Sequence, residues 1–466
     1  MFNKEIYIQR RNQLAQKVGS GLILLLGNDE AGMNFKNNWY PFRQDSTFLY
    51  YAGIDLAELA VIIDLDQGST TLFGNDLTID DIVWTGPLPT LTEQANSAGI
   101  ENVRPYKELE TVLKNAKNKQ QTVHFLPAYR PEHTLKLQAW LEVPPSQSVS
   151  SASEALIKAV VSMRSHKGPE EIAEMEKAVD ISNDMHTYFM RAVAAGKNEM
   201  AIAGQLRAIA IAAGGDLSYP TILTSRGETL HIHARNLELP AGAMALCDAG
   251  AETPMHYAGD LTRTAPVSEK FTDIQKDMYQ LILDIQLKTI DACQPGTPFS
   301  EVHRLSGQLL LEGLQSFNII KGNVQEALAQ DAHTLFFQCG LGHMIGLDVH
   351  DMENLGEQYV GYTADAPKNM NFGWKSLRLG RALEPGFTIT VEPGIYFIPT
   401  LIDLWKAENR LADYINYQEL EKFKDFGGIR IEDNLVITEN GYRILGSRMA
   451  AKTVADMEAL HRQGLL

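Results

Sequence analysis

Cysteine is scarce in this chain: Cys247, Cys293 and Cys339 among 466 residues. The number is odd, and the spacing fits neither a disulfide framework nor a zinc site of thiolates. The three are expected as buried free thiols in a reducing compartment. Basic residues are also in deficit, 41 Lys and Arg against 58 Asp and Glu, for a net charge of −17. That balance argues against nucleic acid or an anionic membrane surface as partner, although it leaves room for a local basic pocket. No window approaches the roughly 20 apolar residues that a membrane span needs. The opening stretch, Met1 to Lys17, is charged and has no apolar core of signal-peptide type. A cytoplasmic protein is the expectation. Low-complexity segments and short-period repeats are lacking as well.

What is present is an ordinary globular composition, 44% hydrophobic and 21% charged, in a chain long enough for two or three domains. In the first third, Gly21–Gly27, Leu59–Asp64 and Thr122–Leu126 are short apolar runs bounded by turn residues, so buried strands are predicted there. A helix is predicted near Ile6–Val18, and the alternation points to an α/β domain. Residues Val143–Ser153 (VPPSQSVSSAS) are rich in Pro and Ser and form the best linker candidate. After it, Gly168-Pro169 opens a long helix. Ile172, Met175, Val179, Met185, Phe189 and Val193 follow helical spacing, and Gly196 offers a stop.

Beyond Pro240, strand-like runs lead into or through acidic residues: Ala243–Cys247 before Asp248, Phe387–Val391 before Glu392, and Ile429–Ile431 before Glu432. A buried strand that ends in an unpaired carboxylate is costly unless the charge is paired or binds metal. Asp260 follows Asp248 by twelve residues, with Gly250, Pro254 and Gly259 between, so a hairpin would let the two face each other. Taken alone, such a pair means little. The segment Gly340-Leu-Gly-His343-Met-Ile-Gly-Leu-Asp-Val-His350-Asp351 sets two imidazoles among small and apolar residues, with glycines that permit a close backbone approach. In Gly428-Ile-Arg430-Ile-Glu432, Arg430 and Glu432 share one face of a strand, where the arginine could neutralise or orient a carboxylate. Together these are four carboxylates and one histidine at strand ends. Two divalent ions bridged by the carboxylates would resolve the repulsion, as in two-metal hydrolases.

These strings resemble a known family. DAGAE…AGDLTRT, GLGHMIGLDVHD, TVEPGIY and GGIRIED are similar, in the same order, to the pita-bread metallopeptidases, in the branch that holds aminopeptidase P and prolidase (Xaa-Pro dipeptidase). Asn38–Phe48 with Tyr50–Gly53 is similar to the start of the creatinase-like domain of these enzymes. The resemblance implies an N-terminal creatinase-like α/β domain over 1–155 and a pita-bread α+β catalytic domain over 156–466. It implies Asp248, Asp260, His343, Glu392 and Glu432 as metal ligands, with Arg430 holding the carboxylates. His350 matches the second family histidine and His231 an upstream one near the substrate, His233 being the weaker substitute. One departure stands out: the two aspartates usually lie eleven apart, and here they lie twelve apart, the extra residue falling in a turn.

The implied chemistry is hydrolysis of an Xaa-Pro bond by a hydroxide bridging two metal ions. Glu392 would handle the proton, while His350 and His231 would stabilise the oxyanion or the leaving group. Mn²⁺ is the family's usual ion and suits a hard, oxygen-rich ligand set; ligand types alone leave Zn²⁺ and Co²⁺ open. The partners implied are a small peptide substrate and a second copy in a homodimer. Trp374-Lys-Ser-Leu-Arg378-Leu-Gly-Arg381 resembles the prolidase string that supplies an arginine for a dipeptide's carboxylate. Ile398–Phe426 is likewise similar to prolidases and to the related organophosphate acid anhydrolases. A dipeptidase is therefore the preferred reading, with an aminopeptidase P on longer peptides as the alternative. A non-catalytic pita-bread binding protein is disfavoured because all five ligands are kept.

Overall fold

Five short strands form the sheet of the first unit: β1 (Leu22–Leu26), β2 (Ala60–Asp64), β3 (Ser69–Gly74), β4 (Asn102–Pro105) and β5 (Val123–His124). The order is β4-β3-β2-β1-β5, with β1 parallel to β5, β3 parallel to β4 and β2 antiparallel to both neighbours. Every residue of β1 from Leu22 to Leu25 is buried, as expected of a central strand covered on both faces. Leu22, Leu24, Ile62 and Phe73 pack with Leu109 and Leu113 of the Leu109–Asn118 helix and with Leu137 of the Pro131–Leu141 helix. The computed structural model describes residues 1–464. It divides into two units, residues 1–164 with Met352–Tyr359, and residues 165–351 with the chain from Val360 onward. The Pro/Ser-rich stretch folds onto the first unit: it holds a short 3-10 turn at Pro145–Gln147, and the Ser153 N–H donates to Phe125 O at 3.0 Å. The first unit continues through the Glu154–Arg164 helix, which buries Leu156, Ile157 and Val160.

The second unit opens with a helix over Pro169–Ala192. Gly168 is its N-cap, Pro169 its first residue, and the Gly168 N–H donates to the Glu171 carboxylate at 3.0 Å. The helix ends before Val193, short of Gly196, and Met175, Val179, Met185 and Phe189 all lie in the core. The strands that follow are β6 (Asp216–Leu217), β7 (Ile222–Thr224), β8 (Met244–Ala249), β9 (Ala251–Glu252) and β10 (Leu261–Pro266). They are followed by β11 (Thr388–Val391), β12 (Gly394–Tyr396), β13 (Gly428–Arg430), β14 (Asp433–Thr438) and β15 (Gly441–Ile444). Two antiparallel sheets, β10-β8-β7 and β11-β14-β15, and the pair β12-β13 make the scaffold. A bridge between Thr262 and Glu432 links the first sheet to the junction of β13 and β14.

Cys247 and Cys293 are buried and Cys339 half-buried, all unpaired. Among the described residues, no helix is long and apolar enough to cross a membrane.

Phe189 sits fully buried on the long helix. Phe189→Ala is expected to destabilise the second unit by about 3–5 kcal/mol through lost burial and the cavity left behind. Chemical denaturation checks this, with the exposed Leu135→Ala as a near-neutral control.

Candidate metal centre

The register of β8 and β10 decides how the two aspartates meet. Asp248 lies within β8, opposite Thr262, while Asp260 immediately precedes β10. Asp260 and Thr262, two apart, share the strand face that Asp248 also occupies. The twelve-residue spacing is absorbed in the connection, where β9 pairs with β6 and His256 takes φ +66°. Gly250 makes the crossing possible, because a Cβ there would lie 1.9 Å from Gly259 O.

Both aspartates reach one hydroxyl. Tyr219 Oη lies 2.5 Å from Asp248 Oδ1 and 2.5 Å from Asp260 Oδ1. Burial, reinforced by the charges of Asp248 and Asp260, pushes the phenol well above its ordinary pKa, so it keeps its proton. It has a single proton to donate to two carboxylates. Sequence reasoning did not single out Tyr219. Its role depends on β7 pairing with β8, with Ile222 opposite Asp248, which no local pattern announces.

His343 Nε2 lies 3.4 Å from Asp260 Oδ2 and 3.7 Å from Glu392 Oε1. Its Nδ1 faces Met344 O at 2.9 Å and its backbone N–H donates to Thr390 Oγ1 at 3.1 Å. An Nδ1–H given to that carbonyl leaves the Nε2 lone pair directed at the carboxylates, the tautomer a metal ligand requires. The glycines around His343 serve the protein more than any ligand: a Cβ on Gly342 would lie 2.1 Å from Thr390 O, on β11.

Glu432 sits between β13 and β14. Its Oε2 accepts from Thr262 Oγ1 at 2.6 Å, and Thr262 Oγ1 in turn accepts from Arg430 Nε at 3.1 Å. Arg430 also bonds Asp248 Oδ2 at 2.5 Å and Tyr396 Oη at 3.0 Å. Ligand atoms of Asp260, His343 and Glu432 lie within 4.8 Å of one another. Asp248 joins this group through Tyr219 and Arg430, and Glu392 through His343. The five residues expected as ligands are thus brought together.

The electrostatics fit a cation. Burial pushes the Glu392 carboxyl up to about 8; Arg430 opposes the shift, and Asp260 and Asp248 add to it. Burial likewise raises Asp260, and raises Glu432 well above the carboxylate range with Asp260 and Glu392 reinforcing it. One fully buried guanidinium, Arg430, and the half-buried Arg378 face four carboxylates. Such a cavity either keeps protons or takes up multivalent cations.

The remaining candidates surround this cluster. His350 stacks edge-on against His343, with ring centroids 4.3 Å apart. His231 is more exposed, and its pKa is lowered by partial burial and then by Arg430, with Asp248, Arg378 and His350 also acting on it. His233 is exposed and pairs by backbone with Ile222. Arg378 is half-buried just after a 3-10 turn, not on an exposed helix, and its charge acts on Asp260 and Glu392.

A buried carboxylate–imidazole cluster on paired antiparallel sheets defines a metallohydrolase scaffold, and the comparisons agree. Residues 173–439 match the model of metallopeptidase family M24, and the chain belongs to that family. Residues 7–124 match the aminopeptidase P N-terminal domain. The fold is accordingly a creatinase-like α/β domain followed by a pita-bread catalytic domain. A probable Xaa-Pro aminopeptidase of Uncinocarpus reesii is 30% identical over 461 residues, covering 96% of this chain and 91% of its own. One of Botryotinia fuckeliana is 33% identical, covering 94% and 90%. Zinc-substituted Escherichia coli aminopeptidase P in complex with product superposes with a TM-score of 0.80 at 28% identity, covering 100% of this chain and 99% of that one. The same enzyme with the inhibitor Pro-Leu gives 0.79 at 28%, covering 99% of each. Use of a divalent metal follows from the family and the cluster.

Glu392 holds a proton in the folded, metal-free protein between its ordinary 4.5 and about 8. The unfolded chain does not, so stability of the metal-free protein falls as pH rises through that window. Scanning calorimetry of chelator-treated protein is expected to show this decline. Metal-loaded protein should lack it, and apparent metal affinity should climb with pH up to about 8.

Proposed function

We propose that this chain is a metal-dependent aminopeptidase that removes the first residue from peptides whose second residue is proline. The observation that carries the reading is the convergence of Asp260, His343 and Glu432 within 4.8 Å, with Asp248 and Glu392 attached to them. Asp248, Asp260, His343, Glu392 and Glu432 would hold two divalent ions, Mn²⁺ being favoured by the oxygen-rich set and Zn²⁺ or Co²⁺ being the alternatives. When bound, the metal supplies charge neutralisation, Lewis acidity and an acidified water.

The chain's own residues supply the rest. Glu392, whose carboxylate lies beside His343 in the cluster, would take a proton and pass it to the leaving proline nitrogen. His350 and the largely neutral His231 are hydrogen-bond donors for the developing oxyanion or the leaving group. The Xaa-Pro bond is a tertiary amide with no N–H, so a site that grips that hydrogen fails on it, and a shaped pocket for the ring is needed instead.

The names of the relatives favour an aminopeptidase over the dipeptidase that the Trp374–Arg381 string suggested. The E. coli enzyme's inhibitor Pro-Leu supports the same choice, being a proline followed by a further residue. Arg378 acts electrostatically on Asp260, Glu392 and His231. A homodimer belongs to the same proposal, supported by the exposed apolar Ile79, Val83 and Trp84 that an association would cover. So does a cytoplasmic location, supported by the three unpaired cysteines.

With added Mn²⁺, turnover of Ala-Pro-Ala is expected to exceed that of Ala-Pro, and Glu392→Ala is expected to lower it by at least about 10²-fold while reducing metal content. Faster cleavage of Ala-Pro would restore the dipeptidase reading, and full turnover by Glu392→Ala would sink the metal-assisted one. Arg378→Ala is expected to reduce cleavage of both peptides in similar proportion; a loss confined to Ala-Pro would instead assign Arg378 to a dipeptide's carboxylate.

A further inference from the structure

Behind Glu432, away from the cluster, lies a second group of buried charges that the mechanism does not use. Arg263, on β10, is fully buried and donates to two carbonyls, Glu432 O at 2.7 Å and Thr262 O at 2.9 Å. Those carbonyls flank the Thr262–Glu432 bridge, in which the Glu432 N–H donates to Thr262 O at 3.1 Å. Glu432 is therefore held at its N–H, at its carbonyl and, through Thr262 Oγ1, at its carboxylate.

Arg263 is itself held by Asp433 Oδ1 at 2.7 Å and by the carbonyls of Ala450 and Ala451 at 3.3 and 3.1 Å. The other Asp433 oxygen accepts from Lys452 Nζ at 2.7 Å and from Gln286 Nε2 at 2.9 Å. Lys452, Arg263 and Asp433 are all nearly inaccessible to water. Two cations around one carboxylate leave a net positive charge next to the carboxylate-rich cluster. The contacts run from 450–452, far along the chain, to the backbone of one proposed metal ligand.

We propose that Lys452 and Arg263 are positioning residues for Glu432, so that the segment 450–452 sets the affinity of the metal centre without touching it. The inference rests on the reading of Glu432 as a ligand. Loss of Lys452 leaves that Asp433 oxygen to Gln286 alone, loosens the Arg263 clamp and lets the Glu432 backbone relax away from its bridge with Thr262.

Arg263 makes too many bonds for a clean test, so the test uses Lys452→Met, which keeps the apolar stem and removes the charge. Mn²⁺ is titrated calorimetrically into chelator-treated full-length protein. Lys452 reaches the ligand only through Asp433 and Arg263, so Lys452→Met is expected to weaken affinity by about 10-fold, the low end of what loss of a group bonded to a ligand costs. At saturating Mn²⁺ the KM for Ala-Pro-Ala should be unchanged and turnover should recover, and Lys452→Arg should restore affinity. Glu432→Gln is the control. If Glu432→Gln loses metal while Lys452→Met, melting normally or with a lowered Tm, binds Mn²⁺ as the wild type does, the positioning role is overturned. If Glu432→Gln also binds normally, the ligand reading fails instead.

Discussion

Four carboxylates share a space with a single fully buried guanidinium, and much of the second unit is organised around that imbalance. Arg430 alone cannot neutralise Asp248, Asp260, Glu392 and Glu432. Burial makes the charges of Asp260, Glu392 and Glu432 expensive, so those three carboxyls hold their protons more tightly than in water. The cost falls only when cations enter. The free energy the protein gives up by crowding these groups is recovered as metal affinity, which is how a folded scaffold prepays for a metal site.

Neutral groups keep the carboxylates from drifting apart. Tyr219 spans two of them, Thr262 hands Arg430's hydrogen bond on to Glu432, and Thr390 fixes the backbone of His343. Met344 O selects the imidazole tautomer. Each of these partners aims a ligand without adding charge, so the cavity keeps its demand for cations. The charged group behind Glu432 is the exception. There Asp433 is offset by two cations, so it adds no repulsion.

Parts of this arrangement were legible along the chain. The strands β1, β2, β8, β11 and β13 lie where apolar runs lie, and the Pro169–Ala192 helix starts where Gly-Pro says it must. Asp260 with Thr262, and Thr390 with Glu392, are pairs two apart within the quoted motifs, so the supporting threonines were open to a period-two reading. Tyr219, Arg263 and Lys452 were not. Tyr219 lies 29 residues from Asp248, Arg263 lies 169 from Glu432, and Lys452 lies 19 from Asp433 and 166 from Gln286.

The sequence by itself determined which residue types would carry the chemistry, because a carboxylate at the end of an apolar strand has few affordable fates, and their order matched one family. Tertiary structure decided the rest. Strand register set Asp248 opposite Thr262 and Asp260 one step beyond, and sheet-to-sheet bridging set Glu432 against both. Register and bridging are settled by packing between segments far apart in the chain. No local pattern encodes them, and the distances that make a metal site exist only once those segments have met.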